Sequence, residues 1–158
     1  MSNRREARER AMQALYAHEL ARGDVRHTID TVIKPELESQ ENIDFATSLF
    51  LRTLDMQEEA DRLVRDHLKN WDLERVALVD RILLRMALCE FLYFEDIPPK
   101  VTINEAIEIA KRYSTPKSGQ FINGILDAIL LELQQNGRLK KSGRGLIGME
   151  SVAGRPAQ

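Results

Sequence analysis

Four arginines, Arg4, Arg5, Arg8 and Arg10, stand within the first ten residues of a chain that holds 23 basic and 25 acidic residues in all. Tyr16 follows on the same predicted helix. At about 100° per residue, Arg4, Arg5 and Arg8 fall within an arc of roughly 100°, and Met12 and Tyr16 continue the stripe. Arg10 points to nearly the opposite side. Guanidinium groups beside an aromatic ring suit single-stranded nucleic acid, with charge on phosphate and ring on base. The plainer alternative is a solvated face of Arg–Glu pairs. Against it, Arg4 and Arg8 lie one turn apart and repel, and basic residues at a helix N-terminus oppose the helix dipole. The sequence shows no structural benefit to offset that cost, so the pattern favours binding.

A second group is Lys117, Ser118, Gln120 and Phe121. Lys117, Phe121 and Gly124 share one stripe of the last predicted helix, beside its apolar face. Phe121 there is placed either to stack on a base, with Lys117 near a phosphate and Gln120 donating from one side, or to form the edge of the core. Catalytic groupings are missing. His18, His27 and His67 lack metal-ligand spacing, and Cys89 has no activating base beside it in sequence. No phosphate-binding loop or dinucleotide fingerprint occurs. The residues thus show a binding pattern and no catalytic, metal or cofactor grouping, and leave open a catalytic site made entirely by residues distant in sequence.

The elements that position these residues are helical, and no run of strict alternation predicts a strand. Apolar periodicity predicts helices over 4–22, 43–55, 57–70 and 73–95, the last being the longest. A short, ambiguous helical stretch lies within 25–38, limited by Pro35. Thr102 and Glu105 match a capping box, with Val101 and Ala106 at the staple positions, for a helix running to Tyr113. Thr115-Pro116 places a capping hydroxyl before a proline that opens the final helix. The total is about seven helices. Trp71 is expected to be buried at a corner, and Cys89 to be a small core residue.

The helical part ends near residue 135. Five of the eight glycines lie in the last 22 residues, where Arg138, Lys140, Lys141, Arg144 and Arg155 face only Glu150. Residues 136–158 are therefore expected to form a disordered or loosely docked basic tail. The net charge of −2 argues against a general DNA coat. No apolar run approaches a membrane span of about 18 residues, and the first residues lack a secretory apolar stretch. A cytoplasmic protein is expected.

Three blocks, in order, carry a resemblance. R-R-E-A-R-E-R-A-M-Q-A-L-Y at 4–16 resembles the arginine-rich opening of the NusB transcription antitermination family. D-R-I-L-L-R-M-A-L-C-E at 80–90 is similar to its central helix. V-T-I-N-E-A-I-E-I-A-K at 101–111 and S-G-Q-F-I-N-G-I-L-D at 118–127 are similar to its C-terminal signature. The resemblance covers roughly residues 4–130 and implies an all-α fold of two small helical bundles packed across each other, without enzyme activity or cofactor; the domain is expected to span residues 1–135. It implies a factor that binds the boxA element of nascent ribosomal RNA jointly with NusE, a small-subunit ribosomal protein, within the transcription elongation complex. By the same resemblance, the RNA surface maps to Arg4, Arg5, Arg8, Tyr16 and the segment Lys117, Ser118, Gln120 and Phe121. The partner surface maps to Asp80. Two other classes are compatible with the residues: a detached targeting subunit of an RNA methyltransferase, and a helical protein-interaction module. The tail lies outside the shared pattern.

Overall fold

The computed structural model describes residues 3–69 and 72–149. Among them are six α-helices and no strand: α1 (Arg4–Ala21), α2 (Val25–Thr28), α3 (Gln40–Arg65), α4 (Leu78–Tyr93), α5 (Pro99–Tyr113) and α6 (Ser118–Gln135). One π turn, Ile29–Ile33, and one 3₁₀ turn, Lys34–Glu36, continue α2 toward α3. The helices α1 and α3 pack together on one side of α4, and α5 and α6 pack together on the other. Both groups share a single core through α4.

The position of α4 follows from its composition. From Ile82 to Phe91 every residue is buried. A helix that is apolar nearly all round belongs at the centre of a fold. Three of its buried residues are charged, and each is tied to a different neighbour. Asp80 accepts from Ser118 of α6, Arg85 donates to Asp61 of α3, and Glu90 accepts from Arg8 of α1. A buried charge is tolerated when it is paired and hydrogen-bonded, as Arg85 and Glu90 are; Asp80 has the Ser118 hydroxyl on one oxygen, while its Oδ1 has no partner among the described residues.

Several helix boundaries differ from the sequence reading. The two helices expected over 43–55 and 57–70 are replaced by one, α3, which runs without a break to Arg65 and is longer than α4. Phe45, Leu49, Thr53, Met56, Ala60 and Leu63 form an unbroken buried stripe on it. Neither Gly nor Pro interrupts that stripe, so nothing stops the helix at Met56. The residues before α4 form a 3₁₀ turn, Leu73–Arg75, and extended chain at Val76 and Ala77, so α4 begins only at Leu78. Helix α5 starts at Pro99, not after Thr102. Proline fits the first turn of a helix because its missing N–H would be unpaired there anyway. Thr102 and Glu105 form no capping box: the Thr102 hydroxyl donates to Glu90 at 2.7 Å, and Glu105 accepts from Arg5. Helix α6 opens at Ser118, two residues beyond Pro116. The Thr115 amide donates to the Ser118 hydroxyl, so the two residues still close that end.

Cys89 is fully buried, and burial pushes its thiol up to about 12, which leaves it unreactive at neutral pH. Trp71 lies outside the described residues. The tail is described as far as Met149. There it follows the end of α4. The Lys141 ammonium donates to the carbonyls of Glu90 and Phe94 at 2.9 and 2.8 Å. The Ser142 amide donates to the carbonyl of Glu95, and a 3₁₀ turn, Gly143–Leu146, follows. The loose docking expected of this segment thus meets a specific set of contacts, because the last carbonyls of α4 need donors.

Candidate nucleic-acid interface

The start of α1 is capped by Asn3, whose Oδ1 accepts from the amides of Arg5 and Glu6 at 3.0 and 3.3 Å. That cap stabilises a first turn otherwise burdened by arginines. Each of the three arginines on the inner edge has a carboxylate partner. Arg4 donates to Glu41 at 2.9 Å and lies over the Phe45 ring, 4.1 Å from its centre. Arg5 grips Glu105 with both Nε and Nη2, at 2.9 and 2.8 Å. The Glu105 hydrogen bond, reinforced by nearby carboxylates, holds the Arg5 guanidinium above its ordinary range despite some desolvation. Arg8 grips Glu90 in the same two-pronged way, at 2.8 and 2.9 Å. Burial pulls the Arg8 guanidinium down, but the charge and hydrogen bonds of Glu90 outweigh it and the net shift is upward.

The three pairs differ in what they can release. Arg4 and Glu41 are both open to solvent, and such pairs contribute about 0–1 kcal/mol, so a phosphate can replace that carboxylate at small cost. Arg5 is half-exposed and open to a phosphate, but its two-pronged grip on the 14% exposed Glu105 makes that exchange costlier. Arg8 is only 4% exposed. Breaking a buried pair by withdrawing one partner costs about 3–5 kcal/mol. Arg8 is therefore an internal tie between α1 and α4 with little surface to offer RNA. The structural benefit missing from the sequence reading is present here: the arginine edge joins α1 to α3, α5 and α4 in turn.

Further along α1, Glu9 pairs with Arg112 and Gln13 donates to the Tyr113 hydroxyl, so α1 and α5 run side by side in the same direction. The Arg8–Glu90 pair and the Asp80–Ser118 bond set the register of the rest. Tyr16, two turns beyond Arg8, lies toward the N-terminal end of α4, the end to which α6 is fastened. Tyr16 is 38% exposed. Lys117 and Gln120 are exposed, and Phe121 is half-buried against the core. Lys117, Ser118, Phe121 and Asp80 line one shallow cavity of about 120 Å³.

Ser118 and Asp80 depart from the roles drawn for them. Ser118 is 3% exposed, and its hydroxyl lies within hydrogen-bond distance of the hydroxyls of Ser114 and Thr115 and donates to Asp80 at 2.8 Å. Asp80 is 6% exposed. It fastens the start of α4 to the start of α6 and presents little surface to a partner. Ser118 reads as surface because Lys117 and Gln120 beside it are polar, whereas Asp80 enters only through the family resemblance.

The sequence reading also missed the groups that hold the arginines. Glu90 stands on the apolar face of α4, and a carboxylate there demands a buried cation. Arg8 lies beside the small-residue face of α1, so the pairing had a signal. A second omission is the wall opposite the arginine edge. Arg4, Arg5, Val101, Glu105, Arg144 and Ile147 are among the residues lining a groove of about 560 Å³. No cluster of metal-ligating side chains occurs among the described residues, and no helix there is long and apolar enough to cross a membrane.

Comparison with known proteins gives a consistent result. The model of the NusB family matches residues 5–131. The transcription antitermination protein NusB of Salinibacter ruber is 52% identical over 153 residues, covering 96% of each chain. The structure of T. maritima NusB superposes with a TM-score of 0.76 at 38% identity, covering 83% of this chain and 92% of that one. A NusB solved with NusE in complex with double-stranded RNA superposes with a TM-score of 0.73 at 25% identity, covering 80% and 95% of the two chains.

Proposed function

The chain belongs to the NusB family, and from that premise we propose that it is an antitermination factor that binds boxA-type single-stranded RNA together with NusE. One observation carries this reading. A single rigid helix presents two exchangeable guanidiniums, Arg4 and Arg5, at one end and an exposed ring, Tyr16, about 18 Å away along the axis. The solved relative that holds both NusE and RNA supports the choice of partners. The direct contacts are Arg4, Arg5, Tyr16, Lys117, Gln120 and Phe121. Arg8, Ser118 and Asp80 position them from inside.

The mechanism is electrostatic attraction followed by stacking. Phosphates exchange with Glu41 and Glu105 for the guanidiniums, and unstacked bases settle on Tyr16 and the outer edge of Phe121. The chain alone binds RNA modestly. NusE adds surface and charge, and by linkage each partner raises the affinity for the other. Once held, the RNA, NusE and this chain together act on the elongation complex. The test is fluorescence anisotropy of labelled boxA RNA against a scrambled strand across a salt series, with and without NusE. Tighter boxA binding with NusE, weakening steeply with salt, is the expected result. Equal affinity for both strands under all conditions would overturn it and favour a protein-interaction module.

A further inference from the structure

The groove beside α1 has a second wall that lies outside the residues matched by the family model. Residues 138–147 cross the end of α4 as a strap. Lys141 fastens it to the carbonyls of Glu90 and Phe94, and Ser142 fastens it to that of Glu95. Its closest approach is at Gly145. A Cβ at that position would lie 1.8 Å from the Glu95 carbonyl oxygen and 2.9 Å from the carbonyl carbon. Both are backbone atoms that cannot swing aside, so only glycine lets the strap lie down here. The seating brings Arg144 and Ile147 onto the groove that Arg4 and Arg5 line from the other side. Arg144 is exposed and, unlike Arg4 and Arg5, makes no ion pair among the described residues.

We propose that the strap is part of the RNA site, and that Arg144 grips a backbone phosphate across the groove from Arg4 and Arg5. The proposal rests on the RNA reading above and adds to it a residue and a segment. The chemistry follows from charge. Four guanidiniums, of Arg4, Arg5, Arg8 and Arg144, line the groove against two carboxylates, Asp96 and Glu105, of which Glu105 is already committed to Arg5. Arg144 is ion-paired with neither among the described residues, so its phosphate contact forms without breaking an existing pair. Val101 and Ile147, both exposed, supply apolar surface for a sugar or base edge between the cationic walls.

The test compares the full-length chain with three variants, using labelled boxA RNA across a salt series. One phosphate contact on single-stranded nucleic acid changes the salt slope by about 0.7, which corresponds to about fivefold in affinity at 0.1 M salt. Arg144→Ala is expected to show that loss with an unchanged melting curve. Gly145→Ala keeps every charge but lifts the strap, and is expected to lose a similar amount. Lys140→Ala removes an equal charge from an exposed position outside the groove lining, and is expected to change affinity less than twofold. Equal losses for Arg144→Ala and Lys140→Ala, or wild-type affinity in Gly145→Ala, would overturn the proposal in favour of unspecific attraction by the tail. Tighter binding by Arg144→Ala or Gly145→Ala would overturn it in favour of a strap that covers the site. If wild type binds boxA normally and Arg144→Ala matches it, this inference fails alone. If wild type binds no RNA, the RNA reading fails with it.

Discussion

Replacing Arg8 by alanine separates a structural arginine from an RNA ligand. The guanidinium makes two short hydrogen bonds to Glu90, which also accepts from Thr102, and the two side chains of the pair are 5% and 2% exposed. Removing Arg8 leaves a carboxylate inside the core with one hydroxyl for company. Uncompensated buried charges of this kind cost about 3–5 kcal/mol. For a domain of this size each kcal/mol lowers Tm by about 2–4 °C, so the variant should melt roughly 6–20 °C below wild type. Urea unfolding should show the same loss as a lower midpoint with an unchanged slope. A compensated variant sharpens the test. Arg8→Met, Glu90→Leu and Thr102→Val together replace the polar cluster by apolar side chains, leave no buried donor or acceptor orphaned, and should recover most of the lost stability. Had Arg8 been an RNA ligand with no internal role, Arg8→Ala would keep its midpoint and lose only RNA affinity. That outcome would refute the assignment.

Three further outcomes follow from the described contacts. Tyr16→Ala removes an exposed ring, so boxA affinity should fall by about 1–3 kcal/mol, roughly 5- to 150-fold, while the urea midpoint stays in place; unchanged affinity in a filter-binding assay refutes the stacking role. Ser118→Ala leaves Asp80 buried without its donor and should cost about 1–3 kcal/mol of stability, with a wild-type unfolding curve as the refuting result. Burial lowers the Lys141 amine to about 8, net of the opposing pull of Glu90, Asp96 and Glu95. Because the folded value lies below the unfolded one, the charged amine opposes docking at neutral pH, and that opposition fades as pH rises from about 8 toward the ordinary lysine range. An NMR titration of the labelled lysine side chains should find one midpoint near 8, and a set of midpoints all near 10.5 refutes it.

Much of this fold is legible in the chain because periodicity survives wherever one face of a helix meets the core. Helix α1 could be read from Ala7, Ala11, Ala14 and Leu15, all buried. The errors fall where a residue serves two physical roles. Pro98-Pro99 reads as an end, yet Pro99 is a beginning, since proline is excluded from a helix interior but welcome in its first turn. Met56 reads as a break in α3 because it stands in a charged stretch, but the fold buries it. The site divides in the same way. Tyr16, Lys117 and Gln120 are where their types suggest. Arg8 and Ser118 are not, because their partners Glu90 and Asp80 are distant in sequence and no local pattern announces them. The strap was invisible for a similar reason: its anchors are main-chain carbonyls, which every sequence possesses.

Glu90 sits at the meeting point of these observations. Its carboxylate receives Arg8 from α1 and Thr102 from α5, while its own carbonyl receives Lys141 from the strap. Both banks of the arginine channel are thus moored to one side chain and its peptide, beneath a surface they never share directly. A change of helix pitch or tilt at that point would widen or narrow the channel from below, so its breadth is dictated by a residue almost wholly withdrawn from solvent.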